Sequence, residues 1–150
     1  MIKILFICHG NICRSTAAQM IMQHMVDEAG LTERFEIDSA ATSREEIGNP
    51  VYPPMRRALE AMGVPILGHR ARQVKSGEYD RWDYIVGMDD ENMWNLDRIF
   101  HGDPQGKCSM LMSWAEPGSH REVDDPWYTG RHAEVARQIE RGCCAMLEQL

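Results

Sequence analysis

A short segment near the N-terminus combines a thiol, a hydroxyl, a guanidinium and two residue types that favour sharp turns. It reads Cys8-His9-Gly10-Asn11-Ile12-Cys13-Arg14-Ser15. Gly10 and Asn11 tolerate positive φ, so the chain can curl here and turn successive N–H groups inward. Such a nest at a helix N-terminus binds a tetrahedral dianion, and Arg14 adds a planar fork that suits two of its oxygens. The spacing therefore predicts an anion cradle.

Cys8 is the residue of this segment that could carry out chemistry on a bound anion. It stands at the end of an apolar run, where its sulfur can point into the cradle, and the field that binds an anion also favours a thiolate. Ser15 can donate its hydroxyl to that sulfur. Taken singly, these residues are better explained as a core cysteine, a turn and a helix cap. Their coincidence within eight residues favours a nucleophile aimed at phosphorus.

A thiolate nucleophile needs an acid for the leaving group, and Asp125 is the best candidate. It is followed by Pro126, Trp127 and Tyr128, so a rigid turn would hold the carboxyl beside two aromatic walls. From spacing alone, an ordinary Asp-Pro turn is the favoured interpretation of this segment. Asp103-Pro104 is a competing pair without flanking aromatic residues.

The elements that must position these residues alternate along the chain. Apolar runs predict four strands, at Ile2–Ile7, Phe35–Asp38, Tyr84–Met88 and Cys108–Trp114. Helical spacing of apolar residues predicts helices over 18–29, 53–62, 91–99 and 135–150. We therefore expect a single α/β domain over residues 1–150, a four-stranded parallel sheet of order 2-1-3-4 with helices on both faces. Ligands of such sheets bind beyond the carboxyl ends of the strands, which places the loop after the first strand at the expected site.

Composition narrows the class of protein. The 150 residues carry 16 basic and 23 acidic side chains, a net charge of −7 that argues against nucleic acid as a partner. The longest apolar stretch, Ile4–Cys8, is far shorter than the ~20 residues of a bilayer span, so no membrane partner is expected. The 5 cysteines are an odd number without metal-site spacing. They predict free thiols in a reducing cytoplasm, with no metal and no cofactor.

These residues carry a resemblance to the low-molecular-weight protein tyrosine phosphatases over essentially the whole chain. Besides the Cys-x5-Arg-Ser segment, the matching motifs are Asp38-Ser39-Ala40-Ala41, His69-Arg70-Ala71-Arg72-Gln73, Tyr84-Ile85-Val86-Gly87-Met88-Asp89 and Asp125-Pro126, in the same order. Cys-x5-Arg alone also occurs in unrelated phosphatases. The ordered set is specific to this family.

The resemblance implies that Cys8 forms a cysteinyl-phosphate and that Asp125 is the general acid, then the base that activates water. The phosphoryl group would be bound by Arg14 and the loop, that is by His9, Gly10, Asn11, Ile12, Cys13, Arg14 and Ser15. Asn11, Ser39 and His69 would brace the loop through side-chain hydrogen bonds. The implied substrate is a phosphotyrosine protein or a small phosphoester, with phosphate and vanadate as inhibitors.

Three positions of the implied substrate cleft concern specificity, and one concerns redox control. Glu45 stands where several members of the family carry an aromatic residue, and Trp127 stands where tyrosine is common, beside Tyr128. Both differences bear on substrate preference and leave the reaction unchanged. Cys13 matches a second loop cysteine, and its position predicts a disulfide with oxidised Cys8.

Other functions remain open from the residues. An arsenate reductase on the same fold uses a similar loop, but the thioredoxin-coupled type needs further cysteines, and Gly77–Asp97 contains none. A phosphocarrier domain would have no use for a leaving-group acid such as Asp125. A non-catalytic anion-binding or redox-sensing module would not need Arg14, Ser15 and Asp125 together.

Overall fold

Four parallel strands form the central sheet of the computed structural model, which describes all 150 residues. The strands are β1 (Ile2–Cys8), β2 (Phe35–Ala41), β3 (Tyr84–Gly87) and β4 (Cys108–Met110). Their order is β2-β1-β3-β4, and every neighbouring pair is parallel. The predicted fold class and strand order are therefore confirmed.

The helices cover both faces of this sheet, as the alternating side chains of β1 make plain. Ile4 and Phe6 pack into one apolar core, whereas Leu5 and Ile7 pack into a second one on the other face. The helices are α1 (Arg14–Glu28), α2 (Pro53–Ala61), α3 (Asp90–Phe100), α4 (Leu111–Ala115), α5 (Pro126–Thr129) and α6 (His132–Gln149). The first core lies under α1, α2, α4 and α6, and the second lies under α3. Two short 3₁₀ helices cover Thr32–Arg34 and Ser76–Arg81. None of the helices combines the length and the apolar character needed to cross a membrane.

The predicted fourth strand over Cys108–Trp114 is wrong in its second half. Only Cys108–Met110 pairs with β3, and the chain then turns into α4. A short apolar run fits a buried strand and a buried helix equally well, so periodicity could not separate them. Packing decides: at Gly142 of α6 an added Cβ would lie 2.6 Å from Leu111 Cγ. The missing side chain lets α4 approach α6.

The carboxyl ends of β1 and β3 bring two distant segments together. β1 ends at Cys8 and leads into α1, while β3 ends at Gly87 and leads into α3 through Asp89, whose carboxylate accepts a hydrogen bond from the Asn92 backbone N–H at 2.8 Å. At Gly87 an added Cβ would lie 2.9 Å from Met93 Sδ. Glycine therefore allows α3 to start directly beside the loop that follows β1.

Candidate active site

The loop between β1 and α1 curls at one residue. Asn11 has φ of 59°, in the left-handed region, and it is the only loop residue with a positive φ. Gly10 was expected to share that conformation, and this expectation is wrong. Glycine serves close approach there instead, since an added Cβ would lie 3.3 Å from Glu46 Cγ.

Backbone N–H groups without a protein acceptor surround this curl. They belong to His9, Gly10, Ile12, Cys13, Arg14 and Ser15. The last two are in the first turn of α1, where intrahelical acceptors do not exist, and Cys13 at the N-cap provides no side-chain cap. A set of free amides at the positive end of a helix is suited to a dianion with several oxygens.

The Cys8 sulfur is held from two sides. Ser15 Oγ lies 2.9 Å from Cys8 Sγ, and the Asn11 backbone N–H donates to Sγ at 3.3 Å. Ser15 Oγ also accepts a hydrogen bond from Asn11 Nδ2 at 2.8 Å. Because a hydroxyl has one proton, this acceptor role leaves the Ser15 proton free to point at the sulfur. Two donors directed at one sulfur stabilise a thiolate.

Asn11 is anchored from behind by a buried polar cluster. Its Nδ2 donates to Ser39 Oγ at 2.9 Å, and its Oδ1 lies 2.8 Å from His69 Nε2. Burial lowers the pKa of His69; Asp38 opposes that shift and Arg72 adds to it. These contacts fix the left-handed residue around which the loop is built.

The guanidinium of Arg14 is oriented by two fixed acceptors. Its Nη1 donates to Asp89 Oδ2 at 2.9 Å and to the Val123 carbonyl at 2.8 Å. Both Nη1 protons are thereby used, which leaves the edge formed by Nε and Nη2 for a bidentate contact. Burial lowers the pKa of Arg14, but Cys8 and Asp89 outweigh it, so the pKa is raised and the group stays cationic.

Asp125 faces this guanidinium from the start of α5. Its Oδ1 accepts the Trp127 backbone N–H at 3.0 Å, and its Oδ2 lies 3.7 Å from Arg14 Nη2. The first contact fixes the carboxyl group, while the second oxygen remains available to the pocket. Such an oxygen can transfer a proton to or from a bound ligand.

One pocket of about 290 Å³ joins these groups. It is lined by Cys8, His9, Gly10, Asn11, Ile12, Cys13, Arg14, Glu45, Glu46, Asp125, Trp127 and Tyr128. Trp127 packs on Tyr52 with ring centroids 5.0 Å apart and forms an aromatic wall. His9 Nε2 lies 2.9 Å from Glu45 Oε2, which makes that part of the rim polar and charged.

Comparisons with known proteins decide the family. The family model described as "Low molecular weight phosphotyrosine protein phosphatase" matches residues 3–150. The low molecular weight protein-tyrosine-phosphatase YfkJ of Bacillus subtilis is 35% identical to the chain, with 100% of this chain and 96% of that protein covered. The chain belongs to the low molecular weight phosphotyrosine protein phosphatase family.

Two further relatives agree with this assignment. The human low molecular weight phosphotyrosine protein phosphatase is 34% identical, with 98% of this chain and 94% of that protein covered. The crystal structure of YfkJ superposes with a TM-score of 0.94 over 99% of this chain and 94% of that chain.

The phosphatase fold brings every site residue named from the sequence into or directly behind the pocket. Ser15, Ser39 and His69 lie behind the loop, whereas the others line the cavity. Cys13 lines it as a free thiol, and burial together with the nearby Cys8 raises its pKa.

Sequence reasoning assigned no role to two residues that support the lining of this pocket. Asp89 orients Arg14, and Tyr52 supports Trp127. A signal for Asp89 existed, because it directly follows a strand whose carboxyl end must lie at the same sheet edge as Cys8. Tyr52 had no such signal, since its contact depends on a loop fold that no local pattern specifies.

Proposed function

We propose that the protein hydrolyses phosphotyrosine and small aryl phosphates through a cysteinyl-phosphate intermediate, without a metal ion. The observation that carries this proposal is the position of Cys8 Sγ, held by Ser15 and the Asn11 amide within a ring of free backbone N–H groups. Those amides and Arg14 supply the positive charge that a metal ion would otherwise provide.

In the first step the Cys8 thiolate attacks phosphorus. A sulfur–phosphorus bond forms and the bond from phosphorus to the phenolic oxygen breaks. Asp125 Oδ2 gives its proton to that oxygen, so tyrosine leaves as a neutral phenol. The Nε and Nη2 edge of Arg14 holds two equatorial oxygens while their charge develops.

In the second step water attacks the phosphocysteine. The Asp125 carboxylate takes a proton from the water, an oxygen–phosphorus bond forms and the sulfur–phosphorus bond breaks. Inorganic phosphate leaves, and Cys8 returns to the thiolate form while Asp125 is again protonated. Phosphate and vanadate, which match the same cradle, are expected inhibitors.

The walls of the pocket favour a flat substrate group. Trp127 and Tyr128 stand beside the opening, so a phenyl ring can enter while its phosphate reaches the loop. The site draws on residues from Cys8 to Asp125, which supports residues 1–150 acting as one catalytic domain. All five cysteines are free thiols, which supports a cytoplasmic location. No cysteine in Gly77–Asp97 offers the disulfide relay of an arsenate reductase.

The test is hydrolysis of p-nitrophenyl phosphate and a phosphotyrosine peptide in the presence of a chelator. Cys8→Ser should lose turnover by at least about 10³-fold, because a hydroxyl without an adjacent base is a poor nucleophile. It should still bind phosphate or vanadate. Cys144→Ser, at an exposed thiol on α6, is the matched control and should retain wild-type rates. Substantial turnover by Cys8→Ser at saturating substrate would overturn the mechanism.

A further inference from the structure

The hydrogen bonds behind the loop have a defined direction, which one backbone group sets. The Arg72 backbone N–H, a donor only, points at Asn11 Oδ1 at 3.2 Å. The other side of the Asn11 amide is therefore the NH₂ group. It donates one proton to Ser15 Oγ and the other to Ser39 Oγ.

The same constraint fixes the tautomer of His69. Its Nε2 is 2.8 Å from Asn11 Oδ1, an oxygen that only accepts, so Nε2 carries a proton. Because burial lowers the pKa of His69, the ring is neutral near pH 7 and its Nδ1 has no proton. Ser39 Oγ lies 3.2 Å from Nε2, but it cannot donate there.

Ser39 is fully buried and its one proton needs an acceptor. The Asn11 NH₂ group and His69 Nε2–H both present hydrogen to its oxygen. The remaining contact is the side-chain oxygen of Gln19, which Ser39 Oγ reaches with a short hydrogen bond. Gln19 is itself buried on α1, one turn after Ser15.

We propose that Gln19 is a positioning residue whose Oε1 accepts the Ser39 proton and so completes the chain of hydrogen bonds, oriented by the Arg72 N–H, that runs from Ser39 through Asn11 and Ser15 to Cys8. With this acceptor in place, each donor in the chain has one partner, and the Ser15 proton points at the Cys8 sulfur. The inference deepens the proposed function, on which it rests, because it concerns the thiolate that would attack phosphorus.

Loss of the Gln19 acceptor should alter the hydrogen bonds at Cys8 through a change at His69. Ser39 would then regain a partner only if the His69 proton moved from Nε2 to Nδ1, beside Asp38, whose Oδ1 lies 3.6 Å from Nδ1. The bare Nε2 would face Asn11 Oδ1, so two acceptors would repel each other at the residue that shapes the loop. The side-chain amide of Asn11 and the Ser15 hydroxyl would lose their fixed orientation.

The test compares Gln19→Met, which keeps the size and removes the acceptor, with Gln19→Glu measured at pH 8, which restores an acceptor. Gln23→Met is the matched control, since Gln23 lies one turn along α1 and contacts only Asp27 by hydrogen bond. The first readout is the ¹⁵N spectrum of the His69 ring, which reports the tautomer. The second is the pH profile of Cys8 alkylation by iodoacetamide, followed by mass spectrometry.

Wild type and Gln23→Met should show the Nε2–H tautomer, and Gln19→Glu should keep the proton on Nε2. Gln19→Met should populate Nδ1–H and move the midpoint of Cys8 alkylation upward by about 0.5 pH unit, about threefold in the ionised fraction below the midpoint. An Nδ1–H tautomer in wild type would overturn the proposal even if Gln19→Met did not fold. So would identical spectra and profiles in Gln19→Met and Gln23→Met. Neither readout uses phosphatase turnover, so a wild type without turnover would refute the proposed function separately.

Discussion

The floor of the pocket and its mouth are built in opposite ways. The floor (residues 8 and 10–15 with Ser39 and His69) is largely buried, and Cys8 is only 3% exposed. The mouth (Glu45, Glu46, Trp127 and Tyr128) is open, and Tyr128 is 85% exposed. Floor residues are joined by hydrogen bonds from β1, β2, α1 and the segment at Arg72. The mouth side chains make exposed contacts instead: Trp127 with the Tyr52 ring, Glu45 with His9, and Glu46 with Asn49.

This difference separates the reaction from the choice of substrate. The buried side chains behind the loop are paired with one another and keep one geometry, because every alternative leaves a donor or acceptor without a partner. Exposed side chains change conformation at a small cost in free energy, and salt screens their charges. Substitutions in the floor should therefore change turnover, and substitutions in the mouth should change preference.

Asp125 stands between the two regions, and its replacement should have the largest effect. Asp125→Asn should slow aryl phosphates with poor leaving groups by about 10²–10⁴-fold and those with good leaving groups much less, since these need less acid assistance. Steady-state rates across a series of substituted phenyl phosphates measure this. A uniform loss across the series would assign Asp125 to loop positioning instead.

Arg14→Lys tests whether the floor depends on geometry or on charge alone. A lysine keeps the positive charge but cannot contact Asp89, the Val123 carbonyl and two phosphate oxygens with one planar group. We expect kcat/KM to fall by about 10²–10³-fold. Arg56→Lys, on the exposed surface of α2, is the control. If Arg14→Lys retains most of its activity, the bidentate contact is unimportant.

Cys13 tests whether the floor also protects itself from oxidation. Because the pKa of Cys13 is raised, its thiol stays protonated until peroxide has converted Cys8 to a sulfenic acid. Condensation of the two then releases water and forms a disulfide. Wild type should recover most of its activity with dithiothreitol, and Cys13→Ser should recover less than about a third. Equal recovery, with no linked Cys8–Cys13 peptide by mass spectrometry, would leave Cys13 with a packing role only.

Glu45 should give the smallest effect, confined to the mouth. Its charge, beside Glu46, should disfavour acidic phosphopeptides, and Glu45→Gln should raise kcat/KM for them by about threefold at low salt. Screening should reduce the gain near 0.5 M salt, and rates with p-nitrophenyl phosphate should stay unchanged. No preference between acidic and basic peptides at low salt would count against this role.

Local patterns were sufficient for the sheet order and for proposing the loop residues 8–15, whereas Ser39 and His69 were proposed only through the family resemblance. Right-handed crossovers leave few orders for four parallel strands, and the loop residues are contiguous. The end of β4 could not be predicted from the sequence, since Leu111 could equally continue a strand or begin a helix. The choice depends on the packing of Leu111 against Gly142 of α6, which no local pattern shows. Gln19 carries one signal in the sequence, since a polar residue among the apolar positions of α1 needs a buried partner. That the partner is Ser39 depends on how α1 packs against β2.

The hydrogen bond from Arg14 to the Val123 carbonyl spans 109 residues of sequence. Proteins are made from the N-terminus at roughly 10 residues per second, so the thiol and the guanidinium are synthesised about ten seconds before the carbonyl and the carboxyl that complete their pocket. During that interval the growing chain has a cysteine and an arginine but no assembled site. The separation in sequence therefore delays assembly of the site. A newly made chain gains the ability to remove phosphate only after Val123 and Asp125 have been synthesised and packed against the loop that follows β1.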